Sequence, residues 1–171
     1  GMGSAEKGNK PLVALTRERG ANAKMFELLS DVDCIELPCI AFISQETNKQ
    51  ALLKKIQAQA VDVVILTSPQ AAQTFLSIIT TQSESDDDND KLLLLFQEQK
   101  IQIASVGKGT SKPLIKQGIA PSFEPSDSTG KTLATELPFA KTSAILYAAS
   151  ALADNTIETV LSERGFSAVD R

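Results

Sequence analysis

The feature that most constrains the fold is the unbroken apolar run Val63–Leu66, followed directly by Thr67, Ser68 and Pro69. A strand with one face in water alternates polar and apolar residues, whereas an unbroken apolar run is typical of a strand covered by helices on both faces. Pro69 suits the first position of a helix, where no backbone N–H is needed, and Ser68 suits the cap before it. The run therefore predicts a central parallel strand that leads into a helix.

The same alternation continues along the chain and predicts βαβ units around a parallel sheet. Strands are predicted at residues 12–15, 33–37, 63–66, 101–106, 122–124 and 144–147, with a further strand from Ser167. Helices are predicted at residues 22–29, 48–58, 69–80, 109–117, 130–137 and 154–164. Hydrophobic residues make up 42% of the 171 positions, which is enough to build the core of a globular α/β protein.

Two properties of the composition exclude whole classes of function. The chain has no histidine, which excludes Ser-His-Asp and Cys-His catalysis, HExxH zinc sites and histidine-ligated haem. Its net charge of −4 argues against a nucleic-acid surface, because such a surface needs a basic stripe to replace the counterions of phosphate. We therefore expect no metal site and no nucleic-acid partner, although isolated basic sites are compatible with this charge.

The chain shows no pattern typical of membrane or disulfide chemistry. Cys34 and Cys39 flank an apolar run, which suits two reduced thiols better than a disulfide framework or a metal site. No apolar run approaches the roughly 20 residues of a membrane span, and the first residues lack a signal-peptide apolar region. We interpret residues 1–11 as a tag or disordered leader, and we expect a reducing compartment and no membrane contact.

Residues 83–90, with the sequence SESDDDND, carry five carboxylates and no apolar side chain. The favoured interpretation is a solvated, mobile loop insertion. The alternative is a calcium loop, but the alternating ligands, central glycine and terminal glutamate of an EF-hand are missing. Apolar residues resume at Leu92, and we expect a buried helix or turn up to Phe96.

Thr67, Ser68, Pro69, Gln70 and Ala71 form the first candidate ligand turn. In parallel sheets ligands bind beyond the carboxyl ends of the strands, and a helix N-terminus there offers free amides to an anion. Helix capping by itself also explains Ser68 and Pro69, so a purely structural role is the alternative. We predict that this turn faces a ligand.

A second strand-to-helix turn contains Gly107, Lys108, Gly109 and Thr110. The glycines allow tight turning and close approach of the backbone to a ligand, and the lysine and hydroxyl suit a carboxylate. The alternative is a plain glycine-rich helix start. We predict that the two turns together build one face of a cleft.

The GKT triplet at residues 130–132 is similar to a phosphate loop only superficially. That loop requires a glycine five residues before Gly130, where this chain has Pro125. We interpret the segment instead as a helix start that is capped by Ser128 or Thr129.

Three further candidates lie at strand ends. Arg17 follows the first strand, where it can meet a carboxylate ligand or form a surface salt bridge. Tyr147 ends the predicted strand 144–147, either as a core residue with a satisfied hydroxyl or as a residue that faces the substrate. Ser150 adds another hydroxyl shortly after this strand.

The order and spacing of these segments resemble the uroporphyrinogen-III synthase family. The resemblance runs from Leu12 to Arg171 and rests on VALTRERGANAKMFELL, IELPCI, VVILTSPQAAQTFL, IASVGKGTSKPLIKQGI, FEPSDSTGKTLATELP and ILYAASALADNTIETVLSERGF. The stretches PSDSTGKTLATELP and ILYAAS are more similar to plant, algal and cyanobacterial members than to animal ones.

The resemblance implies two flavodoxin-like lobes, each a parallel sheet with helices on both faces, joined by a two-strand connector. Residues 12–39 would begin the first lobe, residues 40–47 would form the connector, and residues 48–171 would form the nearly complete second lobe. The rest of the first lobe, with a tyrosine that the family carries beyond the last strand, would follow Arg171. We therefore expect this chain by itself to be inactive.

The resemblance also implies an activity. The family is a lyase that cyclises hydroxymethylbilane to uroporphyrinogen III, with loss of water and inversion of the last pyrrole ring, in haem and chlorophyll biosynthesis. It implies no cofactor, a monomer, and the plastid stroma in a photosynthetic eukaryote or the cytoplasm otherwise. Thr110 and Tyr147 would be the candidate general acids. The substrate-binding residues would be Arg17, Thr67, Ser68, Pro69, Gln70, Ala71, Lys108, Gly109, Thr110 and Ser150.

The alternative function is a non-catalytic ligand-binding or regulatory module of flavodoxin-like architecture, because a fold does not fix a function. A receiver domain is disfavoured, since Thr16 and Arg17 stand where it would have paired acidic residues. A flavin-binding module is disfavoured because aromatic residues make up only 5% of the chain.

Overall fold

The computed structural model describes residues 12–15, 23–29, 33–36, 46–81, 86–149 and 153–171. The chain divides into two compact units, Gly1–Ile43 and Ser44–Arg171. In the first unit, β1 (Leu12–Leu15) pairs in parallel with β2 (Asp33–Glu36), and α1 (Ala23–Leu28) lies between them in the sequence.

The second unit alternates strands and helices. Its elements are α2 (Glu46–Gln57), β3 (Val63–Leu66), α3 (Pro69–Thr81), α4 (Asp86–Gln97), β4 (Gln102–Ser105), α5 (Lys108–Lys116), α6 (Gly130–Glu136), β5 (Ile145–Ala148), α7 (Thr156–Glu163) and β6 (Val169–Asp170). The strands form one parallel sheet in the order β4-β3-β5-β6, which places β3 in the interior of the sheet as predicted. When the four strands of this unit are numbered 1 to 4 along the chain, their order in the sheet is 2-1-3-4. A flavodoxin-like sheet has the same order in its first four strands. The predicted fold class is confirmed.

Each face of this sheet has its own hydrophobic core. Successive residues of a strand point to opposite faces, so β3 contributes to both cores. Val64 and Leu66 pack in a cluster with residues of α2, α3, α4 and α5, whereas Val63 and Ile65 pack with residues of α6 and α7. All four side chains of β3 are at most 1% exposed, and burial of each is worth about 1.5–3 kcal/mol. The unbroken apolar run thus follows from burial on both faces.

Asp62 fixes the amino end of β3 to both neighbouring strands. Its carboxylate Oδ2 accepts a hydrogen bond of 2.7 Å from the N–H of Ala144, and its own N–H donates to the carbonyl of Ala144 at 2.8 Å. On the other side, the Asp62 carbonyl accepts from the N–H of Gln102 at 2.9 Å. The central strand is therefore attached to β4 and β5 before its first apolar residue.

The acidic segment differs from the prediction. Helix α4 begins at Asp86, so the prediction of a loop over residues 83–90 is wrong from Asp86 onward. Carboxylates in the first turn of a helix interact favourably with the positive end of its dipole. Leu92 and Phe96, spaced four residues apart, are 5% and 1% exposed and anchor the helix in the core.

The predicted strand at residues 122–124 is reduced to a single bridge between Phe123 and Ala104 of β4. Pro121 and Pro125 flank it, and proline cannot donate to the ladder of a sheet. The predicted strand from Ser167 is confirmed as β6, which begins at Val169. The other predicted helices and strands are confirmed to within two residues at each end. Among the described helices, none has the length and apolar character needed to cross a bilayer.

Candidate functional site

Three turns meet at the carboxyl edge of the four-stranded sheet. Helix α3 begins at Pro69 directly after β3, and α5 begins at Lys108 after β4. A Cβ placed on Gly109 would lie 3.7 Å from Cγ of Pro69, so the two helix starts approach to van der Waals distance. Gly107 has no room for a Cβ because Ser128, in the loop before α6, lies against it. The first two turns are thus adjacent, and a third turn joins them. That the first two build one face of a ligand cleft stays a prediction.

Ser68 caps α3 as the sequence predicts. Its Oγ accepts a hydrogen bond of 3.0 Å from the N–H of Ala71, and its carbonyl accepts from the N–H of Ala72 at 3.1 Å. Pro69 is exposed, and Ser68, Gln70 and Ala71 are partly buried. The Ala71 amide is thus already bonded, and a ligand role for this turn stays a prediction.

Helix α5 begins without a side-chain cap. Gly107 is extended, and its carbonyl accepts hydrogen bonds of 3.0 Å from the N–H groups of Thr110 and Ser111. Lys108 and Gly109 are exposed, whereas Thr110 is only 2% exposed. Little of the Thr110 side chain can therefore reach a ligand in this conformation.

A polar network of two buried serines and one exposed carboxylate adjoins the start of α5, and sequence reasoning missed it. It consists of Ser105, at the end of β4, and Ser111, in α5, together with the carboxylate of Glu124. In the sequence, this network is indicated only by a serine at the end of an apolar strand and a second serine one turn into the following helix. Neither serine stands out by itself, because serine is common at helix starts.

A cleft of about 340 Å³ opens between the carboxyl ends of β3 and β5. Its lining residues are Thr67, Gly130, Lys131, Tyr147, Asp154, Thr156 and Ile157. The chain places β4 on one side of β3 and β5 on the other, so this position is the topological switch point of the sheet. Open α/β sheets bind their ligands at such a point.

The cleft carries groups of both charges. Lys131 lies in the first turn of α6, where Thr129 is the cap and its Oγ1 accepts from the N–H of Thr132 at 3.1 Å. Of the two predicted caps, the structure thus selects Thr129. Asp154 Oδ1 accepts from the N–H of Thr156 at 3.0 Å. Hydrogen bonds from the backbone and side chain of Thr156 lower the pKa of Asp154, and the charge of Arg171 acts in the same direction.

The structure places the remaining candidate residues as follows. Tyr147 is 4% exposed, packs in the core and also lines the cleft, and a role towards a substrate stays a prediction. Thr67 lines the same cleft. Arg17 and Ser150 lie outside the described residues. Lys131, Asp154 and Thr156 were not candidates from the sequence, since only strand pairing brings them to the cleft.

A second hollow, of about 380 Å³, lies at the opposite, amino edge of the sheet. Val61, Ala144 and Ser167 contribute to its lining, and Lys55 forms an ion pair with Asp170 beside it. Among the described residues, no group of acidic or cysteine side chains is arranged to hold a metal ion.

A parallel α/β unit with a polar cleft at its switch point defines an α/β ligand-binding protein or enzyme. The sequence pattern of the uroporphyrinogen-III synthase (HemD) family matches residues 14–170. The chain therefore belongs to the uroporphyrinogen-III synthase family, as its sequence indicated.

A curated relative and solved structures agree with this assignment. The chloroplastic uroporphyrinogen-III synthase of Oryza sativa subsp. japonica is 33% identical in an alignment of 166 positions, and the match covers 91% of this chain and 50% of the relative. A mutant uroporphyrinogen III synthase of the extremely thermophilic bacterium Thermus thermophilus superposes with a TM-score of 0.63 at 19% identity, over 92% of this chain and 59% of that protein. The wild-type form gives a TM-score of 0.58 at 19% identity, over 92% and 58%. The chain thus spans about half the length of its curated relative, and the solved structures share its fold.

Proposed function

We propose that this chain forms part of a uroporphyrinogen-III synthase, a lyase that cyclises hydroxymethylbilane to uroporphyrinogen III. The reaction removes water and inverts the last pyrrole ring, and it is a step towards haem and chlorophyll. The observation that carries the proposal is the family match over residues 14–170. Residues 12–39 would begin one lobe, residues 40–47 the connector, and residues 48–171 the second lobe.

The carboxyl edge of the sheet supports this proposal, because the substrate is a flexible polycarboxylate. Holding such a chain so that its ends do not close in the simplest way is largely a matter of positioning. The N-termini of α3 and α5 offer positive dipole ends to carboxylates, despite the negative net charge of the chain. We propose that Ser68 and its neighbours and the Lys108–Gly109 turn bind these carboxylates, with Lys131 as an additional cation.

Loss of the substrate hydroxyl as water requires a proton at the leaving oxygen. Tyr147 and Thr110 are both buried, at 4% and 2% exposed, but of the two only Tyr147 lines the cleft. We therefore favour Tyr147 over Thr110 as the proton donor among the described residues. No cofactor is needed for this step.

The activity is tested by an assay that generates hydroxymethylbilane and separates the type I and type III isomers of the product. Spontaneous closure gives type I, so samples without protein and with heat-inactivated protein set the background. We expect type III from a version extended beyond Arg171 and background levels from residues 1–171. Type I alone from both versions contradicts the activity, and binding of uroporphyrinogen III without turnover supports the non-catalytic ligand-binding module.

We also propose the plastid stroma as the location in a photosynthetic eukaryote, the cytoplasm in any other source, and a monomer as the active form. The location is supported by the rice relative, which is named chloroplastic. A fluorescent fusion of the extended protein should co-localise with chlorophyll in leaf cells, and a diffuse cytosolic signal contradicts the proposal. Light scattering of the purified protein should give the mass of one chain.

A further inference from the structure

The polar network at the start of α5 connects three parts of the chain. Ser105 and Ser111 are 0% and 1% exposed. Ser111 Oγ lies 2.8 Å from Ser105 Oγ and 3.2 Å from the Gly107 carbonyl oxygen, and it donates to Oε1 of Glu124. Ser105 Oγ lies 3.2 Å from the same carbonyl. Each hydroxyl has one proton. The Ser111 hydroxyl therefore donates its one hydrogen bond to the carboxylate of Glu124, and the Ser105 hydroxyl donates to Ser111 Oγ or to the Gly107 carbonyl.

The Gly107 carbonyl has backbone and side-chain partners. The N–H groups of Thr110 and Ser111 donate to it at 3.0 Å each, and the Ser105 hydroxyl lies within donating distance at 3.2 Å. Gly107 itself cannot carry a capping side chain, because Ser128 occupies the space where its Cβ would be. The serines and Glu124 thus fix the start of α5 where a cap would otherwise do so.

The orientation of this carbonyl sets where the first turn of α5 points. Lys108 and Gly109 are exposed in that turn, and Gly109 lies against Pro69 at the start of α3. A small rotation at Gly107 would therefore shift the Lys108 and Gly109 amides relative to the first turn. For a reaction that depends on positioning, a displacement of about 1 Å costs about 100-fold in rate.

We propose that Ser111 is a positioning residue that holds the Lys108–Gly109 turn in the orientation that receives a substrate carboxylate. Ser105 and Glu124 act through it. The inference rests on the proposed function, since it names a support of the same site. If Ser111 only stabilised the start of α5, its loss would lower stability and leave the kinetics unchanged.

The test compares Ser111→Ala with Thr80→Ala in the extended protein. Thr80 is the matched control, because it is also a helical residue whose hydroxyl donates a hydrogen bond, to the carbonyl of Leu76 at 2.8 Å, but it lies in the last turn of α3. We expect Ser111→Ala to lower kcat for type III formation about tenfold with KM changed less than about threefold, since the other substrate carboxylates still bind. Thr80→Ala should leave both constants unchanged.

Glu124 supplies the rescue experiment. Glu124→Ala removes the acceptor of Ser111 and should lower kcat as Ser111→Ala does, whereas Glu124→Gln keeps an acceptor oxygen and should restore most of it. Because Glu124 is exposed, neither change creates a buried cavity. Equal kinetics in wild type and Ser111→Ala overturn the proposal, and so does a failure of Glu124→Gln to exceed Glu124→Ala.

A binding measurement separates this proposal from the proposed function. Amide NMR should show the Lys108 and Gly109 signals moving when uroporphyrinogen III is added to wild type and Thr80→Ala, with at most half that movement in Ser111→Ala. If wild type makes no type III isomer but shows this pattern, the activity fails and the positioning role stands. If the product leaves both amide signals unmoved in wild type, the positioning role is overturned even when type III is made.

Discussion

The two edges of the four-stranded sheet each carry a hollow, but only the carboxyl edge has the properties of a ligand site. The hollow at the amino edge is the larger, about 380 Å³ against about 340 Å³, and the charged groups beside it, Lys55 and Asp170, neutralise each other. At the carboxyl edge α3, α5 and α6 begin, and Lys131 and Tyr147 line the hollow. Strand direction, which decides at which edge the helices begin, thus distinguishes the two hollows where volume does not.

The largest expected effect at the carboxyl edge is that of Tyr147→Phe. The ring and its packing remain, so only the hydroxyl is lost, and a general acid is worth about 100-fold or more in rate. We expect kcat for type III formation to fall by about 100-fold, and that of Thr110→Val to fall by about tenfold. Unchanged kcat in both variants rules out both residues as proton donors, and a greater loss in Thr110→Val reverses the assignment.

Charge reversal compares the two edges directly. Lys131→Glu places a carboxylate in the cleft and should raise KM for the polyanionic substrate about tenfold, an effect that added salt should weaken. Lys55→Glu breaks the ion pair with Asp170 at the amino edge and should leave KM unchanged. If Lys131→Glu and Lys55→Glu raise KM equally, the two lysines act only through the net charge of the protein.

Removal of the α3 cap tests whether the first turn has more than a structural role. Ser68→Ala loses the hydrogen bond to the Ala71 N–H and should cost about 1 kcal/mol in urea unfolding. Thr135→Ala is the control, because its exposed hydroxyl bonds a carbonyl within α6, and it should cost less than about 0.5 kcal/mol. We expect KM to rise in Ser68→Ala alone; a KM equal to that of wild type identifies Ser68 as a structural cap only.

The smallest expected effect concerns Asp154 at the same cleft. Hydrogen bonds from Thr156 lower its pKa below the ordinary value of 3.8, so its charge favours the folded state above that value. This contribution is lost as the pH falls through the lowered pKa. Asp154→Asn lacks it, so the gap between the unfolding midpoints of wild type and variant should close under acid. A gap that is the same at neutral and strongly acidic pH contradicts this.

Much of the fold could be predicted because the local and tertiary signals agree. Val63–Leu66 is apolar throughout because both faces of β3 are covered, and Ser68 and Pro69 mark the start of α3. The start of α4 could not be predicted, since acidic residues suit both a solvated loop and a helical first turn. Pro121 and Pro125, on either side of Phe123, are the sequence signal against a full strand there, because neither can donate to a sheet ladder.

The candidate site was less predictable than the fold. The turns after β3 and β4 follow directly from strand and helix signals, so their adjacency could be anticipated. Lys131 and Asp154 reach the cleft only through the pairing of β3 with β5, which no local pattern specifies. Ser111 was missed for a different reason, because a serine shows its burial only once the partners around it are known.

The hydrogen bonds between Asp62 and Ala144 determine when the cleft can form during translation of the chain. These partners are separated by 82 positions in the chain, so their hydrogen bonds close one of the longest loops in the second unit. Contacts between residues far apart in the sequence form late in folding, because closing the long loop between them costs chain entropy before the contact contributes any stability. While the ribosome is still adding residues before Ala144, β3 can pair with β4 but the crevice beside β5 does not exist. The cleft is thus complete only after β5 and the start of α7 have been translated.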